Sequence, residues 1–112
     1  MSERALVIVP TYNERENIRP LIESVLAKDP RIDMLIVDDG SPDGTGRIAD
    51  ELAVEFPGRL DVMHRTGPRG LGRAYIDGLR AAIADGSADL ICQMDADLSH
   101  NPDYLPAARA GR

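Results

Sequence analysis

The sequence predicts an α/β domain, a mostly parallel sheet with helices on both faces, on three observations. Four short apolar runs alternate with segments whose apolar residues recur at helical spacing. The runs are nearly continuous rather than alternating, the pattern of strands buried on both faces. Three of them open into loops crowded with polar residues, at the strand ends where ligands bind in such folds.

The first strand is Ala5 to Val9, closed by Pro10. Ile18, Leu21, Ile22, Val25 and Leu26 then mark one face of a helix. Asn17 is its expected N-cap, since this leaves Pro20 in the first turn, where a missing N–H is harmless. Asn13 with Glu16 would form a capping box only by placing Pro20 in the helix interior. Met34 to Val37 is the second strand, and Ile48, Leu52 and Phe56 mark a second helix ended by Pro57-Gly58. Leu60 to Met63 is the third strand. Leu71, Ala74, Tyr75, Gly78, Leu79, Ala82 and Ile83 form a third helical stripe, and Leu90 to Met94 is the fourth strand. Asn101-Pro102 reads as the start of another helix. The sum is one Rossmann-like domain without repeats or linkers.

A chain of 112 residues makes one compact domain at most. Its net charge of −6, from 19 acids against 13 bases, argues against nucleic acid and against electrostatic docking on an anionic membrane. No stretch reaches the roughly 20 apolar residues that span a bilayer, and the first residues lack the apolar segment of a signal peptide. A cytoplasmic location is expected, at most peripheral at the cytoplasmic face of a membrane. Cys92 is the only cysteine and reads as a small buried hydrophobe.

The chemistry concentrates at the strand exits. Asp95 and Asp97 leave the fourth strand with one residue between them, so in extended backbone both face one point. Two acids so placed repel unless a cation lies between them, and a divalent metal with oxygen ligands, Mg2+ or Mn2+, suits the pair. Ser99 or His100 could add to that shell, though His100 reads better as a helix-start or surface histidine, and His64 as structural. At the first exit, Tyr12 and Glu14 could hold a base and a ribose; a turn with a helix cap is an equal reading. At the second, one of Asp38 and Asp39 can cap the loop while the other stays free to accept from a base N–H or ribose hydroxyl. Asp43 with Gly44 reads as a turn and cap. The segment from Gly70 to Arg73 could turn N–H groups toward an anion, with Arg69 and Arg73 near a diphosphate. It is not a P-loop, because no Gly-Lys-Ser/Thr follows, and its glycines could equally serve close packing.

Together, Val9-Pro-Thr-Tyr-Asn-Glu14, Val37-Asp-Asp-Gly-Ser-Pro-Asp-Gly-Thr45, Gly70-Leu-Gly-Arg-Ala-Tyr75 and Met94-Asp-Ala-Asp-Leu-Ser-His-Asn-Pro102 resemble the dolichol-phosphate and polyprenol-phosphate mannosyltransferases, inverting enzymes of the GT-A fold. The resemblance runs from about Ala5 to Pro102. It implies that Pro10, Tyr12 and Glu14 line the nucleoside, with Val37 and Asp39 on base and ribose. It places Asp95 and Ala96 along ribose and diphosphate, and Asp97 on the metal. Some relatives carry a metal-contacting Gln where this chain has Ser99, and a Lys where it has Pro68-Arg69. Their catalytic domains are also longer, so this chain is expected to be the nucleotide-binding half, truncated at its C-terminus.

The implied reaction moves mannose from GDP-mannose to a polyprenyl monophosphate with inversion. Nothing in this half decides firmly between guanine and uracil, so a UDP-sugar transferase is the nearest alternative. A non-catalytic nucleotide-binding fragment is another, and an uncovered edge of a half-domain would invite self-association. A phosphoacceptor receiver domain suits the length, but would need its acid pair after the first strand and a Lys after the fifth. Here the pair follows the second strand, and the single lysine, Lys28, lies in the first helix.

Overall fold

A computed structural model of the chain describes residues 3–96. The elements are β1 (Ala5–Thr11), α1 (Ile18–Lys28), β2 (Ile32–Asp38), α2 (Thr45–Glu55), β3 (Leu60–His64), α3 (Leu71–Asp85) and β4 (Leu90–Gln93). The four strands form one sheet in the order β3-β2-β1-β4, and every pairing is parallel. This is the predicted α/β architecture, with β1 and β2 running two residues past the apolar stretch of Ala5 to Val9 and one past that of Met34 to Val37. The helix expected near Asn101 lies outside the described residues.

Side-chain parity sorts the core onto two faces. Val7, Val9, Met34 and Ile36 join Ile18, Leu21, Ile22 and Val25 of α1 and Ala49 and Leu52 of α2 in one cluster. Ile8, Leu35 and Val37 point the other way, onto Ala74 and Ala82 of α3. The central strands β1 and β2 are thus apolar at consecutive positions because two helical layers cover them.

Pro10 sits inside β1, a central strand, without breaking the ladder. Met94 N–H donates to Ile8 O at 3.1 Å, so even-numbered β1 residues turn their backbone toward β4. Pairing with β4 ends at Ile8↔Gln93, so the Pro10 nitrogen faces a position where no ladder bond is made.

The α1 boundary falls at Asn17 as expected, but its side chain makes no cap. The Asn17 backbone is already helical (φ −101°, ψ −20°), and its amide turns back to Glu14 Oε1 at 3.2 Å. Two residues of the predicted α3 stripe also fail to bury: Leu71 is 62% and Ile83 65% exposed. The buried line is Ala74, Gly78 and Ala82, residues small enough to let α3 lie close on the sheet. Leu71 overhangs the strand ends, where there is no sheet to cover, and Ile83 is rotated about 100° from Ala82.

Candidate functional site

A cleft of about 370 Å³ opens at the carboxyl ends of β1, β2 and β4, roofed by the start of α3. The β1 exit contributes Pro10, Thr11, Tyr12 and Glu14, the β2 exit Asp39, and the β4 exit Asp95 and Ala96. Arg69, Gly70, Leu71 and Ala74 complete it. Parity explains the convergence. Ile8 and Ile91 pack on the α3 side of the sheet, so Pro10, Tyr12, Asp39 and Asp95 continue that side past the strand ends.

The loops carrying these residues are stapled to one another. The Asn13, Glu14 and Arg15 N–H groups donate to Ser41 Oγ (2.9 Å), Thr45 Oγ1 (2.9 Å) and Asp43 Oδ2 (3.2 Å). Asn13 adopts a left-handed conformation, φ +56°, tolerated by asparagine better than by most residues. Asp38 is buried and accepts from Thr11 Oγ1 (2.8 Å), Ser41 N (3.0 Å) and Ser41 Oγ (2.6 Å). Of the adjacent acids, Asp38 is therefore the loop cap. Asp43 accepts from Thr45 N at 3.0 Å and Thr45 Oγ1 at 2.5 Å, the expected turn.

The Asp43 site carries a pH prediction. Burial pushes its carboxyl up, but hydrogen bonds from Thr45 and Arg15, with the Arg15 charge, outweigh this and hold it below its ordinary value. A folded-state value below the unfolded one adds stability above the unfolded pKa and loses it as pH falls through the folded one. Asp43→Asn should therefore flatten the acid limb of the stability-pH profile below about pH 4, measured by urea unfolding at stepped pH. An unchanged limb would contradict this.

Asp39 is not the free carboxylate the sequence suggested. Its side chain is 6% exposed and forms an ion pair with Arg65 Nη1, while Gly70 N–H donates to Oδ2 at 2.8 Å. The anion met by the glycine segment is thus the protein's own. Arg65 also donates from Nε to Asp77 Oδ2 on α3 at 2.8 Å. The hydrogen bond to Asp77 and the Asp39 charge push the guanidinium pKa further up from its already high value, against the opposing effect of burial. Sequence reasoning missed Arg65 because it stands alone after β3, the one exit without a polar cluster; its place just past a parallel strand was the available signal.

Tyr12 is partly exposed, with the Arg69 guanidinium 4.0 Å from its ring centroid. Arg73 is not among the cleft walls. Val37, which the resemblance set on base and ribose, has its side chain fully buried between sheet and α3, beneath Gly78, and is not among the cleft walls. His64 pairs with Asp50 at 2.9 Å on the surface, a structural role. Cys92 is half-buried rather than fully enclosed.

Asp97, Ser99 and His100 lie outside the described residues. Among the described residues no group of three His, Cys, Asp or Glu side chains could hold a metal. Glu14 and Asp95 nevertheless bring hard oxygen donors to the cleft, which suits a cation bound by one or two carboxylates together with a ligand phosphate. Among the described residues no helix is long and apolar enough to cross a membrane.

The chain is 51% identical over 104 residues to polyprenol monophosphomannose synthase of Mycolicibacterium smegmatis, covering 93% of this chain and 39% of that protein. It is 48% identical over 103 residues to undecaprenyl-phosphate mannosyltransferase of Micrococcus luteus, covering 92% and 42%. It thus spans less than half the length of these relatives. The mannosyltransferase PcManGT from Pyrobaculum calidifontis, solved with GDP-Man and Mn2+, superposes with a TM-score of 0.78 at 30% identity, covering 99% of this chain and 32% of that one. S. aureus TarS 1-349 with UDP gives 0.67 at 26% identity, covering 84% and 27%. The model of "Glycosyl transferase family 2" matches residues 6–109, nearly the whole sequence, and the chain belongs to that family.

Proposed function

We propose that the cleft is the donor site of a glycosyltransferase that moves mannose from GDP-mannose to a polyprenyl monophosphate with inversion. The observation that carries this is the convergence of Tyr12, Asp39 and Asp95 on one cleft from three strand exits. The names of the M. smegmatis and M. luteus relatives support the mannosyl donor and lipid acceptor, and the GDP-Man complex of the Pyrobaculum protein supports the nucleotide.

In this reading Pro10, Tyr12 and Glu14 line the nucleoside. Asp39, an acceptor in its ion pair, faces base and ribose, and Asp95 and Ala96 run along ribose and diphosphate. Arg69 supplies positive charge beside Tyr12 for the diphosphate. A Mg2+ or Mn2+ on Asp97, with Ser99 as second ligand, would offset charge on the departing diphosphate. The acceptor phosphate oxygen forms the new bond to the anomeric carbon as the bond to GDP breaks. A phosphate monoester with a second pKa near about 6 is largely a dianion at pH 7, so no side chain need take a proton. Such an acceptor would bring the protein to a membrane surface as a peripheral partner.

Calorimetric titration of GDP and UDP into the chain, with and without Mn2+, tests this. Mn2+-dependent binding that favours GDP is expected. Preference for UDP would move the donor to a UDP-sugar, the reading that the UDP complex of TarS favours. No binding by the folded chain would mean that it forms no donor site by itself.

A further inference from the structure

We infer that Arg65 is a positioning residue of the donor site, holding the Asp39 carboxylate at the cleft wall and anchoring it to α3. This rests on the donor-site reading above.

Arg65 does not line the 370 Å³ cleft that Asp39 lines. With Asp39, Tyr12 and Arg69 it lines an adjoining open depression. Its own position is heavily determined. The backbone N–H donates to Asp38 O at 2.8 Å, Nε to Asp77 Oδ2 at 2.8 Å, and Nη1 reaches Asp39 Oδ1. The side chain is 9% exposed. A guanidinium is a rigid planar fork, so fixing Nε on α3 also fixes where Nη1 meets Asp39. Asp39 in turn has Oδ2 on Gly70 N–H, and its own N–H bonds Thr11 O at 3.0 Å. Both carboxylate oxygens are held, one by β3's exit and one by the first residue before α3. A buried carboxylate without Arg65 would keep an uncompensated charge and lose the contact that sets its rotamer. It would then turn toward water and away from a nucleotide.

The test is a double-mutant cycle on nucleotide affinity, measured by calorimetry with GDP and Mn2+ on the full chain. Arg65→Gln should weaken binding about tenfold or more, and Arg65→Lys should recover only part, since one ammonium cannot span both carboxylates. Arg65→Gln combined with Asp39→Asn should bind no worse than Asp39→Asn alone, because both act through one carboxylate. Losses that multiply would show direct contact between Arg65 and nucleotide and overturn the positioning role. So would wild-type affinity in folded Arg65→Gln. Should that variant not fold, Asp77→Asn takes its place; Asp77 is 44% exposed. A loss of about threefold, non-additive with Asp39→Asn, is expected there, and no change overturns the inference. If the wild-type chain binds neither GDP nor UDP, the donor-site reading falls and takes this one with it. If it binds and the Arg65 variant binds equally, only this one falls.

Discussion

Asp39→Asn is expected to weaken GDP binding about a hundredfold while leaving the fold in place, because hydrogen bonds to a charged acceptor contribute about 1.5–3 kcal/mol each. The carboxylate lies at the cleft wall with one oxygen on Gly70 N–H and the other on Arg65. Carboxylate oxygens have lone pairs to spare, so both can still accept from a base or ribose. The amide replaces one acceptor by a donor, which must face Arg65, Gly70 N–H or the nucleotide's own N–H. Each of these is a clash of donors. Calorimetry gives the affinity, and a thermal melt followed by circular dichroism reports the fold. Unchanged affinity in a folded variant would remove Asp39 from the site.

Gly78→Val should have the largest effect on stability. Gly78 is the middle of the small-residue line by which α3 meets the sheet. A Cβ built there would stand 2.9 Å from both Ile8 Cγ2 and Val37 Cγ2. Those atoms belong to fully buried side chains on the two central strands, so neither can swing aside. Alanine requires α3 to lift slightly, costing about 1–3 kcal/mol, and valine adds two methyls to the same overlap, for about 3 kcal/mol or more. Because α3 roofs the cleft, both variants should also lose nucleotide affinity beyond what their unfolded fraction explains. Urea unfolding gives the first quantity and calorimetry below the transition the second. A valine variant as stable as wild type would show that α3 is not held at this distance.

Strand order along the chain and the parallel class were legible because both rest on local patterns. Leu21, Ile22 and Val25 repeat at helical spacing, and runs such as Leu35-Ile36-Val37 are apolar on both faces. The meeting of Tyr12, Glu14, Asp39 and Asp95 at one cleft was legible since each follows a recognisable strand. Motif resemblance named Val37 together with Asp39 by their neighbourhood in sequence. The pleat turns Val37 into the core, while Asp39, two residues on and past the strand end, shares its side of the sheet but reaches the cleft. Parity names the face; the end of the sheet decides whether that face is core or opening. The stripe of α3 failed at Leu71 for the same reason.

By itself, then, the sequence determined the elements, the α/β class, the family and the acids delivered to one edge of the sheet, because these depend on residues within a turn or a strand of one another. Only the tertiary structure decided which adjacent acid does which task. Asp38 is satisfied by Thr11, 27 residues earlier, and Asp39 by Arg65, 26 residues later. No local pattern couples positions so far apart. They meet because parallel strands bring all their carboxyl ends to one side, where a buried charge must find its partner from whichever exit lies beside it.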